Sequence, residues 1–406
     1  MVINMVEKNK YFLALDIGAE YIRAILSEVD FINKETRIVS NVCEQIIDSD
    51  TSNIYNDNYT SVTLKNVLKK IKQKVNIEDV YVNISDEHVI SETINSTIVF
   101  ERTSKITPQI LEQLNEISTN SINKKEEIIY LRTNKYIIDK KMNITDPLNM
   151  EASSIEAENF IVRIESRYLD QIDSLLASVN LKATSIIPNS IAAGEALITA
   201  QERNLGSVVI DVGYKTTDIA TFSNGNITLA FTLSIGISDF IDMLSKVLKI
   251  TYKDAYYIYK NHTNLLKTTS DAPIVYKDLN GNTCKVPIGV VNKIVEDLIK
   301  QLFDTIKTIL EKNIDNKKIH SIVISGGISK ISGIKNILIP ILDISRIKTG
   351  RVIETFDKSP ELFDNTWAIC LGMVNISQIE IDENNKEIFN IIYKIKTFFE
   401  NIFNKI

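Results

Sequence analysis

Two segments of this chain, far apart in sequence, repeat one pattern. The first reads Leu15-Asp-Ile-Gly-Ala-Glu-Tyr-Ile-Arg-Ala-Ile25 and the second Ile210-Asp-Val-Gly-Tyr-Lys-Thr-Thr-Asp-Ile-Ala220. Each is an apolar run, then Asp-x-Gly, then a return to apolar alternation, which folds as a strand, a tight turn and a second strand. A third turn, Ile322-Val-Ile-Ser-Gly-Gly-Ile-Ser-Lys-Ile-Ser-Gly-Ile334, ends a buried-type strand in paired glycines ahead of a helix and brings backbone amides to that helix start. Glycine is sparse elsewhere: 13 occur in 406 residues, about half the usual ~7%. The turns that keep it therefore carry information.

A nucleoside triphosphate held between two domains needs small-residue turns whose amides approach the phosphates, and carboxylates that position a metal's water shell. Both hairpins offer these. Gly18 and Gly213 permit close backbone approach, Thr216 and Thr217 supply hydroxyls and amides, and Asp16 and Asp211 stand where strand meets turn. One Asp-x-Gly alone reads equally well as an ordinary hairpin turn. The pair, joined by Gly326 and Gly327, favours a nucleotide site.

Length and composition fit this. At 406 residues and 44% hydrophobic, the chain can bury a core split over two domains or more. A net charge of -6 without a concentrated basic stripe argues against nucleic-acid binding. Cys43, Cys284 and Cys370, like His88, His262 and His320, are scattered without metal-ligand spacing, which suits a reducing cytosol and no structural metal. No secretory core and no spanning apolar run is found, so the chain reads as neither exported nor transmembrane.

Between the hairpins, residues from about 83 to 163 read as an inserted α+β subdomain. Its short alternating strands include Val80-Tyr-Val-Asn-Ile84 and Ile94-Asn-Ser-Thr-Ile-Val-Phe100, followed by a helix near Pro108 to Ile117. Amphipathic helices are expected at Tyr168 to Val179 and Val290 to Leu310. After Val374 the sequence turns polar and acidic through Asn384, as in a short linker.

The tail from Lys386 to Ile406 returns to helical periodicity. Ile388, Phe389, Ile391, Ile392, Ile395, Phe398, Phe399, Ile402, Phe403 and Ile406 form one broad apolar face. The opposite face carries four lysines against two glutamates, a net charge of about +2, with lysines able to reach anionic headgroups. An interfacial membrane helix is the expectation, with Ile391, Ile392, Ile395, Phe398, Phe399, Ile402 and Phe403 as the inserting residues; a helix packed on the body is the alternative.

These motifs resemble the actin-like ATPases, and within them the bacterial cell-division FtsA family. Asp16-Ile-Gly18 is similar to the first phosphate loop, Asp211 to Asp218 to the second, and Ser325 to Ile334 to the adenosine loop. More discriminating are Tyr136-Ile-Ile-Asp139, Ile144-Thr-Asp-Pro-Leu-Asn-Met150 and Ile155-Glu-Ala-Glu158, which resemble the FtsA insert; chaperones, sugar kinases and actin lack such an insert there. Ala192-Ala-Gly194 through Gln201-Glu-Arg-Asn-Leu-Gly206 resembles the helix and turn that lead into the second loop, and FtsA proteins characteristically end in an amphipathic helix.

The resemblance implies an α/β, two-domain actin-like (ribonuclease H-like) fold with an inserted α+β subdomain and a C-terminal amphipathic helix. Its parts would be 1–82, 164–203 and 354–375 for the first domain, 83–163 for the insert, 204–353 for the second domain, 376–385 for the linker and 386–406 for the membrane helix. It implies ATP and Mg2+ as ligands, with Asp16, Gly18, Asp211, Gly213, Lys215, Thr216, Thr217, Gly236, Gly326 and Gly327 at the nucleotide. Asp16 and Asp211 would hold the metal through water, and Asn189 with Asp211 would serve catalysis. Implied partners are the FtsZ C-terminal peptide, an anionic membrane surface and further copies of the chain, at the cytoplasmic face of the membrane at the division site. A pilus-assembly protein of the PilM kind, usually without the terminal helix, is the second reading, and a sugar or acetate kinase the third.

Departures from the family bear on turnover. Tyr214 and Lys215 replace permissive glycines, though the lysine could reach a phosphate, and Ser234-Ile-Gly-Ile-Ser238 keeps one glycine where relatives commonly have two. Asn189 stands where a longer Glu or Gln orients water, and Lys253-Asp-Ala-Tyr-Tyr-Ile-Tyr-Lys260 has tyrosines where a ribose-holding Ala-Glu is expected. Binding with slow hydrolysis is the expectation.

Overall fold

The computed structural model describes residues 9–30, 35–46, 58–71, 75–266, 273–314, 319–344, 346–353 and 360–382. The chain opens with three antiparallel strands, β1 (Asn9–Ile17), β2 (Tyr21–Asp30) and β3 (Glu35–Gln45), then α1 (Asn58–Ile71) and β4 (Ile77–Ile84). Strand β4 pairs in parallel with β1. It therefore belongs to the first domain's sheet, which corrects the expectation that Val80 to Ile84 forms part of the insert. The alternation in its sequence arises on a parallel strand rather than on a hairpin of the insert.

The insert follows as β5 (Ile90–Lys105), α2 (Pro108–Asn120), β6 (Glu126–Ile138), β7 (Met142–Ile144) and β8 (Glu151–Glu165), with sheet order β5-β8-β6-β7. Leu111 and Leu114 of α2 pack on Tyr136, Ile138, Ile155 and Ala157 in a small core of its own. The chain returns through α3 (Ser166–Ala177), β9 (Ser185–Pro188), α4 (Asn189–Leu197) and α5 (Ala200–Leu205). Strand β9 completes a sheet of order β3-β2-β1-β4-β9.

The second domain repeats that plan. An antiparallel meander of β10 (Ser207–Val212), β11 (Thr217–Ser223) and β12 (Asn226–Leu233) is followed by α6 (Ile237–Leu248), α7 (Tyr252–His262), a hairpin of β13 (Pro273–Lys277) with β14 (Thr283–Pro287), and the long α8 (Ile288–Asn313). Strands β15 (Ser321–Gly326) and β16 (Ile347–Thr349), with α9 (Ile334–Leu342) between them, add in parallel to give the order β12-β11-β10-β15-β16. In both sheets the strand before the Asp-x-Gly turn is central. All six residues of β10 are buried, which is why it reads as a nearly continuous apolar run rather than as an alternation.

Helix α10 (Ala368–Asp382) closes the described chain. Residues 376–382, expected as the first part of a short linker, continue helix α10, because Val374 and Ile376 remain in the core and carry the helix past the polar composition change. The tail residues Ile391, Ile392, Ile395, Phe398, Phe399, Ile402 and Phe403 lie outside the described residues.

Helices α4 and α10 pack together between the two sheets. Helix α4 is buried on every side, and its contacts leave no room for side chains at two glycines. A Cβ on Gly372 would lie 1.9 Å from the Ala192 carbonyl oxygen, and one on Gly194 would lie 2.3 Å from the Phe222 ring. Behind α4, Arg203 donates to both oxygens of Glu195 at 2.5 and 2.7 Å, and Arg132 of the insert stands 3.6 Å from the same carboxylate. The insert also meets the second domain: the Ala230 amide donates to Ser91 Oγ at 2.9 Å, and Asn134 Nδ2 donates to the Ile227 carbonyl at 3.3 Å. No helix among the described residues is long and apolar enough to cross a membrane.

Candidate nucleotide site

The two Asp-x-Gly turns are built alike. The Gly18 amide donates to the Tyr21 carbonyl at 3.0 Å, and the Gly213 amide to the Thr216 carbonyl at 2.8 Å. A Cβ at Gly18 would sit 3.0 Å from that Tyr21 oxygen and one at Gly213 3.2 Å from that of Thr216, so glycine lets the chain turn this tightly. The duplication extends across the strands. Asp16 lies opposite Arg23 in the β1 and β2 register, and Asp211 lies opposite Asp218 in that of β10 and β11. The second member of each pair stands seven residues after the first, so the repeat itself signals Arg23 and Asp218 as members of the site.

A chain of hydrogen bonds joins the two hairpins. Asp16 accepts from Arg23 at 3.4 Å and from Asn83 Nδ2 at 3.1 Å; the same Asn83 amide donates to Asn189 Oδ1 at 2.9 Å, while Asn83 Oδ1 accepts the Ile17 amide at 2.7 Å. Two residues on from Asn83, at the exit of the same strand, Ser85 carries the network to the second hairpin. The Ser85 hydroxyl lies 2.7 Å from both Thr216 Oγ1 and Asp218 Oδ2, and Thr232 donates to Asp218 Oδ1 at 2.7 Å. Asn83 and Ser85 belong to β4 and its exit, a segment without a recognisable motif, and the sequence pattern gives no signal for them.

Three carboxylates are buried here. Burial raises Asp16, against the opposing pull of Arg23. Burial pushes Asp211 up to about 6, with the Asp16 charge adding to it. Asp218 reaches about 7 through burial and the neighbouring Asp211 charge, offset in part by its hydrogen bonds from Thr232 and Ser85. Buried carboxylates that raise one another ionise readily only if a cation joins them. Among the described residues, no group of three or more His, Cys, Asp or Glu could hold a metal directly.

The remaining expected residues are placed as follows. Thr216 joins the network, but Thr217 is fully buried and its hydroxyl donates to the Ile235 carbonyl at 2.7 Å. Gly236 packs beneath the second turn, where a Cβ would lie 2.4 Å from the Tyr214 carbonyl oxygen. The first amides of α6 are occupied there: Ile237 donates to the Gly213 carbonyl and Ser238 to that of Tyr214, at 3.1 and 2.7 Å. Lys215 is half-buried in the same turn. Gly326, at φ +74°, and Gly327 end β15 beside the site; Cβ atoms there would meet the Val212 carbonyl and Asp211 in the first case and Ile237 in the second. These two glycines thus serve the approach of β15 to β10 and α6.

Comparison with known proteins agrees with this geometry. Residues 86–163 match the model of the SHS2 domain inserted in FtsA, and residues 209–333 match the C-terminal part of the archaeal actin homologue that resembles MreB. The cell-division protein FtsA of Neisseria meningitidis is 23% identical over 91% of this chain and 91% of its own, and that of Pseudomonas aeruginosa is 23% identical over 81% and 80%. Among solved structures, the PilM-PilN type IV pilus biogenesis complex matches with a TM-score of 0.62 at 12% identity, covering 91% of this chain and 98% of that one. MreB5 of Spiroplasma citri bound to ADP matches at 0.53 and 14%, covering 93% and 99%. At such identities the structural likenesses speak for the fold alone. The chain has an actin-like ATPase fold, and the resemblance to bacterial cell-division protein FtsA extends over most of its length and includes an SHS2 domain at residues 86–163.

Proposed function

We propose that this chain is an actin-like cell-division protein that binds ATP with Mg2+ between its two Asp-x-Gly turns, self-associates, and tethers FtsZ filaments to the inner face of the cytoplasmic membrane through its C-terminal helix. The observation that carries the nucleotide part is the network joining the hairpins through Asn83 and Ser85 of one strand and its exit, with three buried acids beside it. Asp16 and Asp211 would hold the metal through water, and the turns at Gly18 and at Gly213 to Thr216 would face the phosphates. Bound there, the metal supplies charge neutralisation for the phosphates. Asn189 Oδ1 accepts from Asn83 Nδ2 at 2.9 Å, so orienting an attacking water with that oxygen would require breaking this bond. The division role and the membrane and FtsZ contacts rest on the FtsA resemblance and on the amphipathic tail.

Titration calorimetry of Asp211→Asn tests the nucleotide site. The substitution keeps the side chain's shape and removes its charge, and the loss of Mg-ATP affinity is expected to be at least about tenfold, the scale of one charge-assisted interaction. Unchanged affinity in the folded variant would place the site elsewhere.

A further inference from the structure

Helix α7 touches both turns of the candidate site, and it does so with tyrosines at the positions where a ribose-holding glutamate is expected. The Tyr252 hydroxyl lies 2.6 Å from that of Tyr214, in the second turn. One helical turn on, the Tyr256 hydroxyl donates to Glu20 Oε1, in the first turn, at 2.6 Å. A further turn on, Lys260 Nζ donates to the Tyr256 oxygen at 3.1 Å and stands 5.3 Å from the centre of its ring. Residues four apart share one face of a helix. This face of α7 therefore lies across the mouth formed by the two turns.

We propose that α7 is a latch: in the nucleotide-free chain its Tyr252 and Tyr256 bonds to the two turns hold the cleft shut, and nucleotide enters only when they break. Three features fit that role. The Lys260 ammonium polarises the Tyr256 hydroxyl and strengthens its donation to the Glu20 carboxylate, so the three groups act as one relay. Burial raises the phenols of Tyr252 and Tyr256, which keeps both protonated at neutral pH. Beside them the Tyr259 hydroxyl is buried with no hydrogen-bond partner among the described residues. A phenol left unpaired in this position makes the closed arrangement costly, so a displaced α7 has something to gain.

The proposal rests on the nucleotide reading, and its test separates the two. A ligand that enters only an open form associates in proportion to the open fraction. Stopped-flow association of a fluorescent N-methylanthraniloyl ATP should therefore speed up by about tenfold in Tyr256→Phe and in Glu20→Ala, the scale of a hydrogen bond to a charged group. Hydrogen exchange of the nucleotide-free protein should rise at residues 18–21 and 252–260 in both variants. Glu20→Gln keeps an acceptor oxygen and should recover most of the wild-type behaviour, and the double variant should add nothing to either single change. Association and exchange both unchanged in folded Tyr256→Phe would overturn the latch. If neither wild type nor variants bind the analogue, the nucleotide reading fails and the latch falls with it, whereas binding at the same rate in wild type and Tyr256→Phe overturns the latch alone.

Discussion

At the residue scale, two acids beside the turns are lifted toward neutrality by burial. Asp211 and Asp218 are raised from 3.8 to about 6 and about 7. The folded state thus binds more protons than the unfolded chain between pH 4 and 7. The stability each acid contributes is full below its unfolded pKa and is lost as pH rises through the folded one, by on the order of 3–4 kcal/mol per acid. Without nucleotide, Asp218→Asn should match wild type near pH 4 and melt several degrees higher at pH 8; a melting difference that does not change with pH would contradict this electrostatic account. The neighbouring Asn189 gives a second expectation. With its side-chain oxygen held by Asn83, steady-state phosphate release should stay below about one per second, the lower edge of working enzymes. A rate well above that in purified protein would reopen the enzyme reading. Asp16, Asp211 and the two turn glycines were legible because acid and glycine at a strand end form a pattern. Arg23 and Asp218 were missed, although the seven-residue spacing in both repeats could have signalled them, and Asn83 and Ser85 carried no signal at all, since their place comes from where β4 ends in space.

At the element scale, the junction of α4 with α10 shows how closely the two sheets are joined. Gly372 faces the Ala192 carbonyl at a distance no Cβ tolerates, and backbone cannot swing aside as a flexible side chain can. Gly372→Ala should cost ~1–3 kcal/mol or more, the usual penalty of overpacking, and lower the melting temperature accordingly. Gly289, near the start of α8, has nothing within 4 Å of its Cβ position. There the same change should be neutral or stabilising by up to about 1 kcal/mol, through the unfolded chain's lost freedom. Equal effects at the two sites would show that the close approach does not exist. The long amphipathic helices were legible from their periodicity, observed at Ser166–Ala177 and Ile288–Asn313. Strand β4 and the end of α10 were misread for a common reason. Composition changes at residues 83 and 375 do not coincide with the points where pairing and packing change, and those depend on contacts distant in sequence.

At the scale of the whole molecule, two sheets of one plan, an SHS2 insert that reaches the second domain, and α7 bonded to both Asp-x-Gly turns make a body whose domains are bound to each other at several points. Helix α10, which packs on α4, is the last described element before the amphipathic tail sequence. The tethering role depends on that tail, and it is tested by Phe398→Glu with Phe399→Glu in co-sedimentation on anionic vesicles, with FtsZ polymer present and thermal unfolding followed on the same preparation. Two carboxylates on the apolar face oppose insertion into acyl chains and are repelled by anionic lipid. The account expects wild type to carry FtsZ into the vesicle pellet, and the variant to leave both in solution with its melting temperature unchanged. Vesicle binding retained alongside a large fall in melting temperature would mean that the tail is a packed structural helix, and would contradict the tether.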